Sequence, residues 1–196
     1  MTDPGWPRLR YSAQESVELL ARLLSDRSVD ERRLVAGYLD AKRQLAQAFE
    51  AMARERYPSD EVMQRIRGTI ERKMWALYPD LPRPYLRVKG FARVHERILE
   101  YLAVRVGEDV AADELRILSG DAVHTERRAR ELRDLGLELV TREVDGLAYY
   151  RLVSLDPDAG SAAANLMTKN IRGDSKLSGD EKEALIARLL RRPAVG

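Results

Sequence analysis

Apolar residues recur every three or four positions through most of the chain up to Leu118, and they switch to alternation after Gly136. The first pattern predicts helices and the second predicts strands. Val17, Leu20, Ala21 and Leu24 mark a short amphipathic helix from Ser12, where Ser12 and Glu15 have the spacing of a capping box. Ser28 and Glu31 repeat that start signal before a longer helix that runs to about Arg56, ahead of Pro58. Within it Leu34, Tyr38, Ala41, Leu45, Ala48 and Met52 alternate steps of four and three, so one apolar seam stays on one face and needs a partner helix. A third helix opens at Ser59 and Asp60, carries Val62, Ile66, Ile70, Met74 and Leu77 as a stripe, and stops at Tyr78-Pro79. Three helices with short connections predict a bundle, or a long antiparallel hairpin with an extra helix.

Proline and glycine then punctuate the chain. Pro4, Gly5 and Pro7 make residues 1–11 a flexible lead-in to a helical assembly domain over 12–79, and Pro79, Pro82 and Pro84 predict a stiff linker over 80–90. A fourth helix follows from about Phe91 to Val106, with Val94, Ile98, Leu99, Leu102 and Val106 inward, and a shorter one spans Ala111 to Leu118. The next helix covers 121–135. Leu137, Leu139 and Val140 lead into an extended run, and Asp145-Gly146 is the dipeptide of a tight hairpin turn. Leu147, Tyr149, Arg151 and Val153 then face away from Ala148, Tyr150, Leu152 and Ser154. Residues 155–177 read as a second linker, and Ser178 with Glu181 caps a final helix over 178–192 that bears Leu185, Ile186, Leu189 and Leu190 and ends at Pro193. The expected fold class is mainly α: an N-terminal helical bundle or hairpin, a winged helix-turn-helix with a small β-hairpin over 91–154, and a C-terminal helix.

In a helix-turn-helix the last of the three helices enters the major groove of duplex DNA with its N-terminal half against the bases. Thr125, Ala129, Leu132 and Gly136 share one face of that helix and should pack inward. His124, Arg127, Arg128 and, at the margin, Thr125 are then the expected groove contacts, with Arg130 reaching a phosphate. Arginine suits either target, since its guanidinium forks onto guanine or phosphate. The competing reading pairs Arg127, Arg128, Arg130 and Arg133 with Glu126, Glu131 and Asp134 on a solvated helix face. On the hairpin, Tyr149 and Arg151 are candidates for minor-groove or phosphate contact.

Charge moves part of the expected grip upstream. Acid slightly exceeds base between Asp121 and Arg151, whereas Arg83, Arg87, Lys89, Arg93, Arg97 and Arg105 face only Glu96 and Glu100. Of these, Arg87, Lys89, Arg93 and Arg97 are the expected backbone contacts, giving a salt-dependent and sequence-independent share of affinity. The formal net charge of +2 adds little in either direction.

The run from Leu115 to Leu137, with Arg127-Arg128-Ala129-Arg130-Glu131-Leu132-Arg133 leading to Gly136, and then a strand, the Asp-Gly turn and Tyr149-Tyr150-Arg151-Leu152, resembles the winged-helix modules that accompany HNH and other restriction-type nucleases in bacteria. The resemblance covers about residues 90–154 and implies duplex DNA binding. It does not carry the nuclease, because no paired histidines and asparagine follow at ligand spacing.

With 196 residues, 44% of them hydrophobic and 34% charged, the chain reads as a soluble globular protein, and its lack of cysteine excludes disulfides and thiolate chemistry. His95 and His124 are the only histidines, glycine-rich phosphate loops are missing, and no run is apolar enough to span a bilayer. His95, between Arg93, Glu96 and Arg97, reads as a surface residue. We therefore expect a cytoplasmic, nucleoid-associated protein with no catalytic residue, metal or cofactor. Its expected role is a DNA-binding regulator or DNA-targeting subunit, with residues 12–79 forming a homodimer or holding a partner protein. The alternative is an adaptor that uses the winged and helical regions to assemble a multiprotein complex.

Overall fold

A computed structural model describes residues 5–58, 60–120 and 124–190. Its helices are α1 (Trp6–Ser25), α2 (Glu31–Arg56), α3 (Glu61–Leu77), α4 (Arg93–Ala103), α5 (Ala112–Leu118), α6 (Thr125–Glu131), α7 (Ala159–Arg172) and α8 (Gly179–Leu190). The strands β1 (Val110–Ala111), β2 (Leu139–Val144) and β3 (Leu147–Leu152) form one antiparallel sheet in the order β1-β3-β2. The fold is thus mainly helical with a small sheet, as the periodicities predict. Among the described residues no helix is long and apolar enough to cross a membrane. The chain divides into two compact units, residues 1–58 with 113–125 and residues 59–112 with 126–196.

In the first unit α1 and α2 pair as an antiparallel hairpin. Ser16 Oγ donates to Asp40 Oδ2 at 3.0 Å, and the Trp6 backbone N–H donates to Glu55 Oε1 at 2.8 Å. Gly37 lets the helices approach, since a Cβ there would stand 2.6 Å from Leu23 Cδ1. Helix α1 starts inside the expected lead-in, ahead of Ser12. Pro7 falls in its first turn, where the missing N–H would have had no helical partner, so the proline opens the helix instead of delaying it. Ser12 and Glu15 consequently lie within the helix. The cap of α2 is Asp30, whose Oδ1 accepts the Arg33 N–H at 2.9 Å, while Ser28 closes the preceding turn by donating its N–H and hydroxyl to Asp26.

In the second unit α3 packs on α4 and α7, and α7 packs on α8. The stripe of α3 is buried through Met63, Ile66, Ile70 and Met74, so this helix departs from the expected domain of 12–79. Its N-terminus is capped by Glu100 of α4, which accepts the Val62 N–H at 2.9 Å. Burial raises the pKa of that carboxyl, against the lowering effect of the Val62 and Met63 N–H groups.

Residues 80–90 pack instead of linking. Leu81, Tyr85 and Leu86 are buried, Tyr85 Oη donates to Asp174 at 2.7 Å, and Asn170 donates to the carbonyls of Tyr85 and Arg87. The expected linker at 155–177 also differs, because it holds α7. Asp158 caps that helix by accepting the Ser161 N–H at 3.0 Å, and Ala162, Ala163, Leu166, Met167 and Ile171 form its buried stripe. At α8 the Ser178–Glu181 capping box forms as expected, and Ile186 and Leu189 are buried, while Pro193 lies outside the described residues.

Helix α4 is shorter than the expected 91–106 span. It ends at Ala103, which leaves Val106 exposed instead of inward, and the Gly107 N–H donates to the Leu152 carbonyl at 2.9 Å as the chain turns toward β1. The hairpin has the expected two-residue turn. Val144 pairs with Leu147, and Asp145 and Gly146 have φ of 52° and 76°, the left-handed pair that matches strand twist. Tyr150 and Leu152 point into the core, and β1 adds a third strand by pairing Val110 with Tyr150.

Candidate nucleic-acid interface

Helix α6 and the turn after it bury Ala129, Leu132 and Leu135 on one side. Gly136, with φ of 72°, ends the turn against the backbone of Asp158, where a Cβ has no room. The opposite side exposes Arg127, Arg128 and Arg130. Two of these three arginines share one carboxylate. Arg127 Nε donates to Glu131 Oε1 at 2.9 Å, and Arg128 Nη1 donates to Glu131 Oε2 at 3.3 Å.

Glu131 is held from below by His95, whose side chain is fully buried and is not the surface residue that its sequence neighbours suggest. The Ala92 N–H and the Ala92 carbonyl both lie within reach of His95 Nδ1, at 3.0 and 3.3 Å. On the other side of the ring, His95 Nε2 shares a hydrogen bond with Glu131 Oε2 at 2.8 Å. Phe91 closes the site with an edge contact at 5.3 Å between ring centroids. Burial acts to raise the Glu131 pKa, but the hydrogen bonds from His95 and Arg127 and the charge of Arg128 outweigh it and bring the pKa down to about 2. The arrangement presents two guanidiniums in fixed positions. Each has N–H groups left over for an acceptor, and the fixed carboxylate limits their conformational freedom before any ligand arrives.

The remaining predicted residues are distributed differently. His124 is exposed with φ of 70°, whereas Thr125 is buried and shares a 2.6 Å hydrogen bond with the Ser119 hydroxyl. A hydroxyl so engaged is not presented to a groove, so Thr125 is withdrawn as a contact. Residues 121–123 of the expected recognition helix lie outside the described residues. On the hairpin, Arg151 makes a bidentate pair with Asp109 at 2.9 and 2.8 Å, and Arg142 pairs with the same carboxylate. Tyr149 is half-buried opposite Arg142. Arg133 ties the end of α6 to β2 through the Leu139 carbonyl and Thr141 Oγ1.

Upstream, Arg87, Lys89 and Arg93 are exposed and Arg97 is half-buried. Arg83 lies over Trp75 and Arg105 over Tyr101, at 5.5 and 3.8 Å from the ring centroids. Both acids of this stretch are engaged with α3, Glu96 through Arg67 at 3.3 Å and Glu100 through its cap. The exposed charges of the patch are then Arg83, which lies over Trp75, and Arg87, Lys89 and Arg93. The competing reading paired the arginines of α6 with Glu131, and the structure shows that pairing for Arg127 and Arg128; sequence reasoning missed His95 as the support of Glu131 and Asp109 as the anchor of the hairpin arginines. The i, i+3 and i+4 spacing of Arg128 and Arg127 to Glu131 was a readable signal. The other two partners are distant in sequence and gave none.

Residues 95–158 match the family model described as the KpnI N-terminal domain, which ties this segment to a restriction-enzyme-associated domain. The matched stretch begins at the buried His95 and ends at Asp158, the residue that packs on Gly136 and caps α7. No curated protein and no solved structure matches the chain.

Proposed function

We propose that α4, β1, α5, α6, β2 and β3 form a winged helix-turn-helix that binds duplex DNA, and that the protein is a non-catalytic DNA-targeting or regulatory component of a restriction-related system. Helix α6 lies toward the major groove with Arg127 and Arg128 on the bases and Arg130 on a phosphate, and Arg87, Lys89 and Arg93 hold the backbone. The observation that carries this reading is the pair of exposed guanidiniums fixed on Glu131, within the segment that matches a restriction-enzyme domain. The N-terminal helices supply assembly, and the working site is the cytoplasmic nucleoid.

A fluorescence-anisotropy titration with random duplex at roughly 50 and 200 mM salt tests the reading. Wild type should bind and weaken steeply with salt, while Arg127→Ala/Arg128→Ala should lose at least about tenfold in affinity. Salt-insensitive binding, or none, overturns it. One observation favours the adaptor alternative: Glu131 and Asp109 neutralise part of the arginine charge of α6 and the hairpin. In that case the double variant leaves DNA behaviour unchanged and disturbs a protein complex instead.

A further inference from the structure

The α1–α2 hairpin has an apolar surface that its own pairing leaves largely unused, apart from the contact of Phe49 with Trp6 at 6.3 Å between ring centroids. Successive residues of a helix turn by about 100°, so positions can be placed around each axis. On α2 the side facing α1 contains Leu34, Gly37, Ala41 and Ala48. Beside it Val35, Tyr38, Leu39, Leu45 and Phe49 fall within an arc of about 120° that also holds Lys42, the end charges Glu31 and Arg56, and the buried Ala53. On α1 the contact side holds Ala13, Ser16, Leu20 and Leu23, and Val17, Ala21 and Leu24 lie beside it. In both helices the second arc follows the contact arc in the same rotational sense. Because the helices run antiparallel, the two arcs fall on the same side of the hairpin and make one continuous face.

That face is exposed. Its seven large residues retain 37–66% of their accessible surface, roughly 600 Å² of it per chain, which exceeds the apolar share of a standard interface of about 800 Å² per partner. The contact inside the hairpin is correspondingly thin, with alanine at most of its buried positions. We propose that a second copy of this chain covers this face, the two hairpins closing into a four-helix bundle about a two-fold axis. Apart from Leu19 and Tyr11, the exposed apolar side chains of the hairpin lie on one face, which is self-complementary under such an axis, and its large side chains then interdigitate as the core that one copy lacks. The proposal rests on the assembly half of the function above and not on DNA contact, so a failed DNA titration leaves it standing.

The test is sedimentation equilibrium of the full chain without DNA, with helical content followed by circular dichroism. Wild type at about 20 µM should have twice the mass of one chain, since a standard-size interface is commonly tighter than micromolar. Leu39→Glu/Leu45→Glu should raise the dissociation constant at least about 100-fold with helicity retained, because both side chains are already exposed. Val17→Glu tests the α1 half of the face independently, and Ala36→Glu on the polar side should leave the dimer intact. A monomeric wild type overturns the proposal. A dimer that survives both face variants, or is lost in Ala36→Glu, overturns the assignment of the face.

Discussion

The α1–α2 hairpin and the segment from α4 to β3 sort their residues in opposite ways. In the latter, large apolar side chains such as Ile98, Leu99, Leu132 and Leu152 are buried and the arginines stand outside on fixed carboxylates. In the hairpin most buried positions are alanine, and Tyr38, Leu39 and Phe49 face out. Helix length alone therefore does not measure how much large apolar surface a region buries. The α4–β3 segment puts its large apolar side chains inside, with α3 and α7 packed on part of it, whereas the hairpin, with the longer helices, leaves much of its own outside.

Truncation is the harshest way to break this contrast. Leu99→Ala removes a fully buried side chain and should cost about 2–5 kcal/mol in urea unfolding. Leu39→Ala should change stability by less than about 1 kcal/mol under conditions where the chain is monomeric. Equal costs would remove the distinction. Next in size, His95→Ala leaves the Ala92 N–H without its acceptor and Glu131 Oε2 with Arg128 alone, and should cost about 1–3 kcal/mol in the same assay.

An acid titration sharpens the picture of the α6 face. The Glu131 pKa is lowered in the fold from 4.5 to about 2, so its stabilising contribution is present above pH 4.5 and fades as pH falls toward 2. Glu131→Gln should flatten that part of the stability-versus-pH curve, read from urea midpoints at successive pH values. An unchanged slope would mean that the carboxylate is not held by its arginines and His95. The smallest effect belongs to the hairpin turn. Gly146→Ala places a side chain at φ of 76° with open space around it, and should lower stability by about 1 kcal/mol with little effect on the core.

Much of this contrast was readable in the residues. The three-and-four spacing located the helices, the Asp145-Gly146 pair fixed the hairpin register, and Thr125, Ala129 and Leu132 identified the inward side of α6. Local signals failed where tertiary context chose the outcome. Pro7 reads as a breaker until it is seen in the first turn of a helix. Gly160 and Ser161 hide α7, although Asp158 was a readable cap and Ala162, Ala163, Leu166, Met167 and Ile171 a readable stripe. The proline-rich stretch is stiff, but Tyr85 and Leu86 anchor it in the second unit's core. For the candidate site, the arginines were legible because charge type and helical phase are local properties. Their support was not, since the His95–Glu131 bond spans 36 positions and His95 is flanked by charged neighbours that look solvent-facing.

The proposed role of Arg127 and Arg128, held in place by Glu131, is to meet duplex DNA. The most direct measurement is the salt dependence of duplex binding for wild type and Arg127→Ala/Arg128→Ala, plotted as log affinity against log salt concentration. Each phosphate contact contributes roughly −0.9 to that slope, and a base contact contributes chiefly to affinity. Wild type should give a clearly negative slope, and the double variant at least about a tenfold loss of affinity with a slope shallower by at most about two contacts. Identical curves for the two proteins would contradict that role.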